Sequence, residues 1–210
     1  MFAILLGATL VVAVADWVAV ATDRRPLEFV LKPLTMVVLI AAALAMSDPD
    51  PEIARWLIVG GLVLSLAGDV FLMLEDHFIP GLASFLIAHV LYVAAFITMG
   101  VVGFPFVIGA ALVAVLIRVI GVKVVVAATE KNRSYGLPVA AYILVISLMV
   151  AFAIGTTRWW AIAGALLFYV SDACIGWSRF VGEFPHQRIA IMTTYHLGQV
   201  GLVLSLLGAA

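Results

Sequence analysis

The chain has 210 residues, 66% of them hydrophobic and 11% charged, with a net charge of −1 and a mean hydropathy of +1.25. Soluble domains carry about 45–50% apolar and about 25% charged residues, so this composition excludes a soluble globular fold. The near-neutral charge offers no basic surface to nucleic acid, and the single Cys174 excludes an intramolecular disulfide.

A membrane-spanning helix needs about 20 predominantly apolar residues. Charged and Pro/Gly-rich breaks divide the chain into eight such segments, approximately 2–22, 32–46, 53–74, 81–100, 104–122, 136–155, 159–179 and 187–208. Ala13-Val14-Ala15 resembles a signal-peptide cleavage site, but no positive region precedes it, so the first segment reads as an uncleaved span. The second segment is short, and the stretch 121–134 extends the fifth beyond the bilayer. Seven spans is the nearest alternative count. The connections, such as Asp23-Arg24-Arg25-Pro26, Glu75-Asp76-His77 and Glu130-Lys131-Asn132-Arg133, show no linker or composition shift. The reading is an all-α polytopic membrane protein, residues 1–210 forming one transmembrane domain of eight helices in one bundle.

Positive charge sets the expected orientation. The odd-numbered connections and their flanks hold Arg24, Arg25, Lys32, Arg118, Lys123, Lys131, Arg133, Arg179 and Arg188, against Arg55 and Arg158 on the other side. The odd connections are therefore expected in the cytoplasm, both termini outside, and the protein in the cell (inner) membrane. Trp159-Trp160 then falls at the outer interface, where amphipathic rings prefer to be.

Besides Asp16 of the first, two carboxylates lie inside these spans, in Gly68-Asp69 of the third and Ser171-Asp172 of the seventh. An ionisable residue in hydrocarbon costs about 2.5–3.5 kcal/mol on insertion scales and marks a functional site by default. At ~1.5 Å per residue, Asp69 and Asp172 lie roughly 8 and 10 Å inside the cytoplasmic face, with His89 and His196 at about 12–14 Å. Tyr92, Tyr195 and Gln199 are within about a turn of those histidines, and Lys32 opens the second span on the same side. His89 and Tyr92 share a helix face at i,i+3, as do Tyr169 and Asp172. Gly61, Ser65 and Gly68 are small residues that admit a close neighbouring helix. Asp16 is in the same inner half, though its closeness to Asp23-Arg24-Arg25 fits an interfacial place as well. His77 and His186 fall in connections, and Cys174 faces away from Asp172.

In order and spacing, Lys32-Pro33-Leu34, Gly68-Asp69, Gly81-x3-Phe85-x3-His89-x2-Tyr92, Pro138-x3-Tyr142, Ser171-Asp172 and Tyr195-x3-Gln199 resemble the motif set of the YhhN family. Gly198 stands where that pattern leads to Ala, a minor change between small residues. The family includes the lysoplasmalogenases. The resemblance implies an eight-helix hydrolase that cleaves the vinyl-ether bond of lysoplasmalogen, a lysophospholipid, to a fatty aldehyde and glycerophosphoethanolamine or glycerophosphocholine; no cofactor or metal is assigned.

Vinyl-ether hydrolysis needs a proton at the β-carbon, which creates an oxocarbenium ion for water to attack. Glycosidases divide similar work between an acid and a carboxylate. Low dielectric favours a neutral carboxyl group, and neighbouring carboxyls push their proton affinities apart. Asp69 and Asp172 are thus the expected catalytic pair. Lys32, His89, Tyr92, Tyr142, Ser171, Tyr195, His196 and Gln199 are expected to bind substrate and water, Lys32 at the lipid phosphate. Two other classes compete. A metal-dependent ceramidase-like lipid amidase needs three ligands, and only two histidines lie within the spans. A proton-coupled transporter or lipid-sensing membrane protein also uses intramembrane Asp and His, but the third and seventh spans lack mid-span Gly/Pro breaks.

Overall fold

The computed structural model describes residues 1–74 and 76–208; Glu75, in the third connection, lies outside the described residues. The described residues form helices and no strands. In order these are α1 (Phe2–Ala21), α2 (Arg25–Leu44), α3 (Glu52–Met73), α4 (Phe78–Thr98), α5 (Gly103–Leu116), a π-helical turn (Ile117–Gly121), α6 (Val122–Lys131), α7 (Gly136–Gly155), α8 (Trp159–Phe180) and α9 (Gln187–Leu204). Because α5, the π turn and α6 run on as Gly103–Lys131, they make one span, and the described residues hold eight segments long and apolar enough to cross a membrane.

Two boundaries differ from those expected. The second span starts at Arg25, not near residue 32, because Pro26 occupies the first turn, where its missing N–H costs nothing. Glu28 and Lys32 consequently project from helix instead of loop, and Pro33 interrupts the backbone ladder directly beside Lys32. The fifth span has 29 residues, ~43 Å at 1.5 Å per residue, so it outruns a hydrocarbon core of about 30 Å as expected.

Burial departs from that of a soluble protein in two respects. Leu137, Phe104 and Val11 are exposed, whereas Ser65, Asp69, His89, Ser171, His196 and Gln199 are buried. With lipid as solvent, apolar side chains face outward at no cost and polar ones gather where they find partners. The connections sort to two ends. Arg188 reaches Asp23 and Glu28, Lys131 Nζ donates to the Arg179 carbonyl, and Arg179 stacks on Phe78, linking all four odd connections. The Arg188 guanidinium holds the exposed Asp23 carboxyl below the usual carboxylate range. At the other end Arg158 donates to the Asp50 and Ser205 carbonyls, and the Val102 N–H donates to Gly155.

The most extensive pairings are α3 with α4 and α8 with α9. Glycines set how close these pairs come. A Cβ at Gly61 would stand 2.2 Å from the Tyr92 ring, and one at Gly68 would stand 2.6 Å from Phe85. Between α8 and α9 the contact is backbone on backbone, a Cβ at Gly201 falling 2.6 Å from the Gly164 Cα. Gly198 belongs to this seam, and the expectation that Ala would be a minor change there is corrected. Its Cβ would lie 2.9 Å from the Phe168 N and 3.2 Å from the Gly164 O, both on backbone that cannot rotate away. Gly198→Ala is expected to destabilise by about 1–3 kcal/mol, the usual cost of overpacking, and thermal unfolding in detergent would read it as a lowered midpoint.

Candidate active site

Asp69 and Asp172 have different surroundings. Both oxygens of Asp69, which is 1% exposed, are engaged. Oδ1 is 2.9 Å from the Lys32 Nζ on α2, and Oδ2 accepts a 2.6 Å hydrogen bond from the Tyr195 hydroxyl on α9. The Lys32 side chain is 13% exposed, so the structure places its ammonium in the bundle against a carboxylate. It is not extended at the rim toward a lipid phosphate.

Asp172 on α8 accepts a short hydrogen bond from the Tyr142 hydroxyl on α7. His89 on α4 places Nε2 3.8 Å from the same oxygen, too far for a hydrogen bond and within reach of a bridging water. The His89 Nδ1 lies 2.6 Å from the Phe85 carbonyl one turn back. That carbonyl can only accept, so Nδ1 carries the proton and Nε2 presents a lone pair toward Asp172. Nε2 is buried with no hydrogen-bond partner among the described residues.

Asp172 and Tyr142 also form part of the wall of a cavity of ≈ 80 Å³ between α4, the π turn, α7 and α8. The rest of the wall is almost wholly aliphatic and aromatic, and Asp69 is not part of it. Ile120 and Gly121 bring the π turn to its edge; such turns recur at functional sites.

The remaining predicted residues support these two groups. Tyr92 donates to the Gln199 Oε1 at 2.9 Å, and its hydroxyl lies 3.2 Å from the Ser65 Oγ. His196 accepts from the Trp17 indole at 3.1 Å. Ser171 turns away from the carboxylates and donates to the Ile191 carbonyl, fastening α8 to α9. Asp16 is fully buried, and neither of its oxygens has a hydrogen-bond partner among the described residues.

Phe168 is a central residue that the sequence reading passed over. It is fully buried and packs edge-on against His89 at 4.7 Å and Tyr195 at 5.4 Å, a partition between the Asp172 and Asp69 groups. Its position four residues before Asp172, on the same helix face, was the available signal. Among the described residues no three His, Cys, Asp or Glu side chains are grouped so as to hold a metal ion.

A model of the YhhN family matches residues 27–206. The chain is 38% identical over 154 residues to human lysoplasmalogenase TMEM86B, covering 72% of this chain and 63% of the human protein. It is 29% identical over 157 residues to human lysoplasmalogenase TMEM86A, covering 69% and 62%. With a Mycobacterium tuberculosis lysoplasmalogenase the identity is 33% over 173 residues, covering 79% and 65%. The chain thus spans less than two thirds of the length of these curated relatives. No solved structure matches it.

Proposed function

The chain belongs to the YhhN family, and from that membership and the cavity at Asp172 we propose that it is a membrane lysoplasmalogenase. The reaction is hydrolysis of the vinyl-ether bond of a 1-alkenyl-lysophospholipid to a fatty aldehyde and a glycerophospho-base. The observation that carries this reading is one carboxyl group, backed by Tyr142, in an otherwise apolar wall. An alkenyl chain fits such a wall, and the reaction needs one acid within reach of it.

In the proposed mechanism Asp172 is the general acid. Its proton goes to the vinyl β-carbon, the alkene electron pair forms the new C–H bond, and positive charge develops on the α-carbon and ether oxygen. The carboxylate left behind stabilises that cation without reorganising. A water bound at the His89 Nε2 attacks the α-carbon, gives up a proton to the imidazole, and the proton returns across 3.8 Å to Asp172. The resulting hemiacetal collapses to aldehyde and alcohol. Asp69, with both oxygens engaged, is a positioning residue that orients Tyr195 and Lys32 behind the Phe168 partition. The Lys/Arg-rich end faces the cytoplasm in this reading, so the cavity lies in the cytoplasmic leaflet, and residues 1–210 act as one transmembrane domain.

The test is to incubate detergent-purified protein with lysoplasmalogen and with the matching 1-acyl lysolipid. Aldehyde from the first and no fatty acid from the second is the expected result. Fatty acid from the second would replace the vinyl-ether reading with an ester hydrolase.

A further inference from the structure

The Asp172 cavity borders a second, polar one. Leu72 and Phe78 belong to both walls, and the second cavity, ≈ 330 Å³, adds Asp76, Tyr135 and Arg179. The Arg179 guanidinium lies 3.8 Å from the Phe78 ring centroid and forms no ion pair with any described residue. Stacked in this way, a planar guanidinium keeps its N–H edges available for a phosphate. Lys131, whose Nζ donates to the Arg179 backbone carbonyl at 3.0 Å and lies over the Phe180 ring, adds positive charge at the same end of α8.

The spacing matches a lysolipid. Arg179 and Asp172 are seven residues apart on α8, so they share a helix face and are separated by ~10.5 Å of rise. In a 1-alkenyl-lysophospholipid about seven bonds join phosphorus to the vinyl β-carbon, roughly 9 Å when extended. The two lengths are of the same order, so one extended lysolipid can reach from Arg179 to Asp172.

We propose that the polar cavity is the head-group subsite, Arg179 taking the phosphodiester and Asp76 the ammonium of an ethanolamine or choline group. This rests on the lysolipid reading above and adds to it the part of the substrate that is recognised. It also assigns the phosphate to Arg179, leaving Lys32 to Asp69.

The experiment measures binding without turnover, by calorimetry of the full chain in detergent with 1-O-alkyl-lysophosphatidylethanolamine, which has no vinyl ether. Arg179→Gln is expected to weaken binding about tenfold or more, the range of one charged hydrogen bond. Arg179→Lys, which keeps the charge and loses the fork, should fall between. Asp76→Asn should weaken this lipid and leave 1-O-alkyl-lysophosphatidate, which lacks the ammonium, unchanged. If Arg179→Gln does not fold, the Asp76→Asn comparison of the two lipids decides alone. Wild-type binding of both lipids by Asp76→Asn, or of the first by a folded Arg179→Gln, overturns the subsite. A wild-type chain that binds the alkyl lipid through Arg179 and releases no aldehyde from lysoplasmalogen would overturn the proposed reaction and leave the subsite standing.

Discussion

Asp172→Asn is expected to fold normally and to release aldehyde at least about 100-fold more slowly, the lower range for loss of a general acid. The amide matches the carboxyl in shape, and its oxygen can still accept from the Tyr142 hydroxyl. What it lacks is a proton acidic enough to transfer to carbon. Thermal unfolding with an aldehyde assay separates the two properties: an unchanged midpoint with lost turnover is the expected pattern. Turnover at the wild-type rate would remove Asp172 from the mechanism and leave the cavity as a lipid-chain groove without a reactive group.

The second large effect concerns stability. Lys32→Met is expected to destabilise the chain by about 3–5 kcal/mol, the cost of leaving one charge of a buried pair uncompensated. The pair is inside the bundle, Nζ 2.9 Å from Oδ1, and Tyr195 already occupies the other carboxylate oxygen. Adding Asp69→Asn to Lys32→Met should recover most of the loss, because the double variant leaves neither charge of the pair to bury. Unfolding midpoints for both single variants and the double close the cycle. Additive losses would mean that the pair is not energetically coupled, and a Lys32→Met protein of full stability with a raised KM would return Lys32 to the lipid phosphate.

Much of this arrangement was legible in the sequence, for reasons that can be stated residue by residue. Eight apolar runs between short charged breaks pointed to eight spans, with seven as the alternative because the run at 32–46 is short, and the earlier start of α2 at Arg25 supplies its missing length. Counting residues inward from those breaks put Asp69, Asp172, His89 and Tyr195 in one half of the bundle, because rise per residue is fixed in a helix. The start of α2 was also written there, in Pro26, but the surrounding charges drew the boundary toward Lys32. The π turn at Ile117–Gly121 left no such mark, as its residues suit an ordinary helix equally well.

Depth is one coordinate of three, and the other two belong to packing. Asp69 and Asp172 looked like equivalent members of a pair when counted along their helices. Helix rotation gave the first to Lys32 and Tyr195, the second to Tyr142, His89 and an apolar cavity, and put Phe168 between them. Those rotations follow from where Gly164 meets Gly201 and where Gly68 admits Phe85. By itself the sequence determined that the chain crosses a membrane many times, with eight spans the leading count, and that Asp69 and Asp172 lie at similar depth in it, because hydropathy and rise are properties of a helix on its own. Only the tertiary structure decided that Asp172 opens onto the cavity and Asp69 does not, because which face a helix turns inward is set by its neighbours.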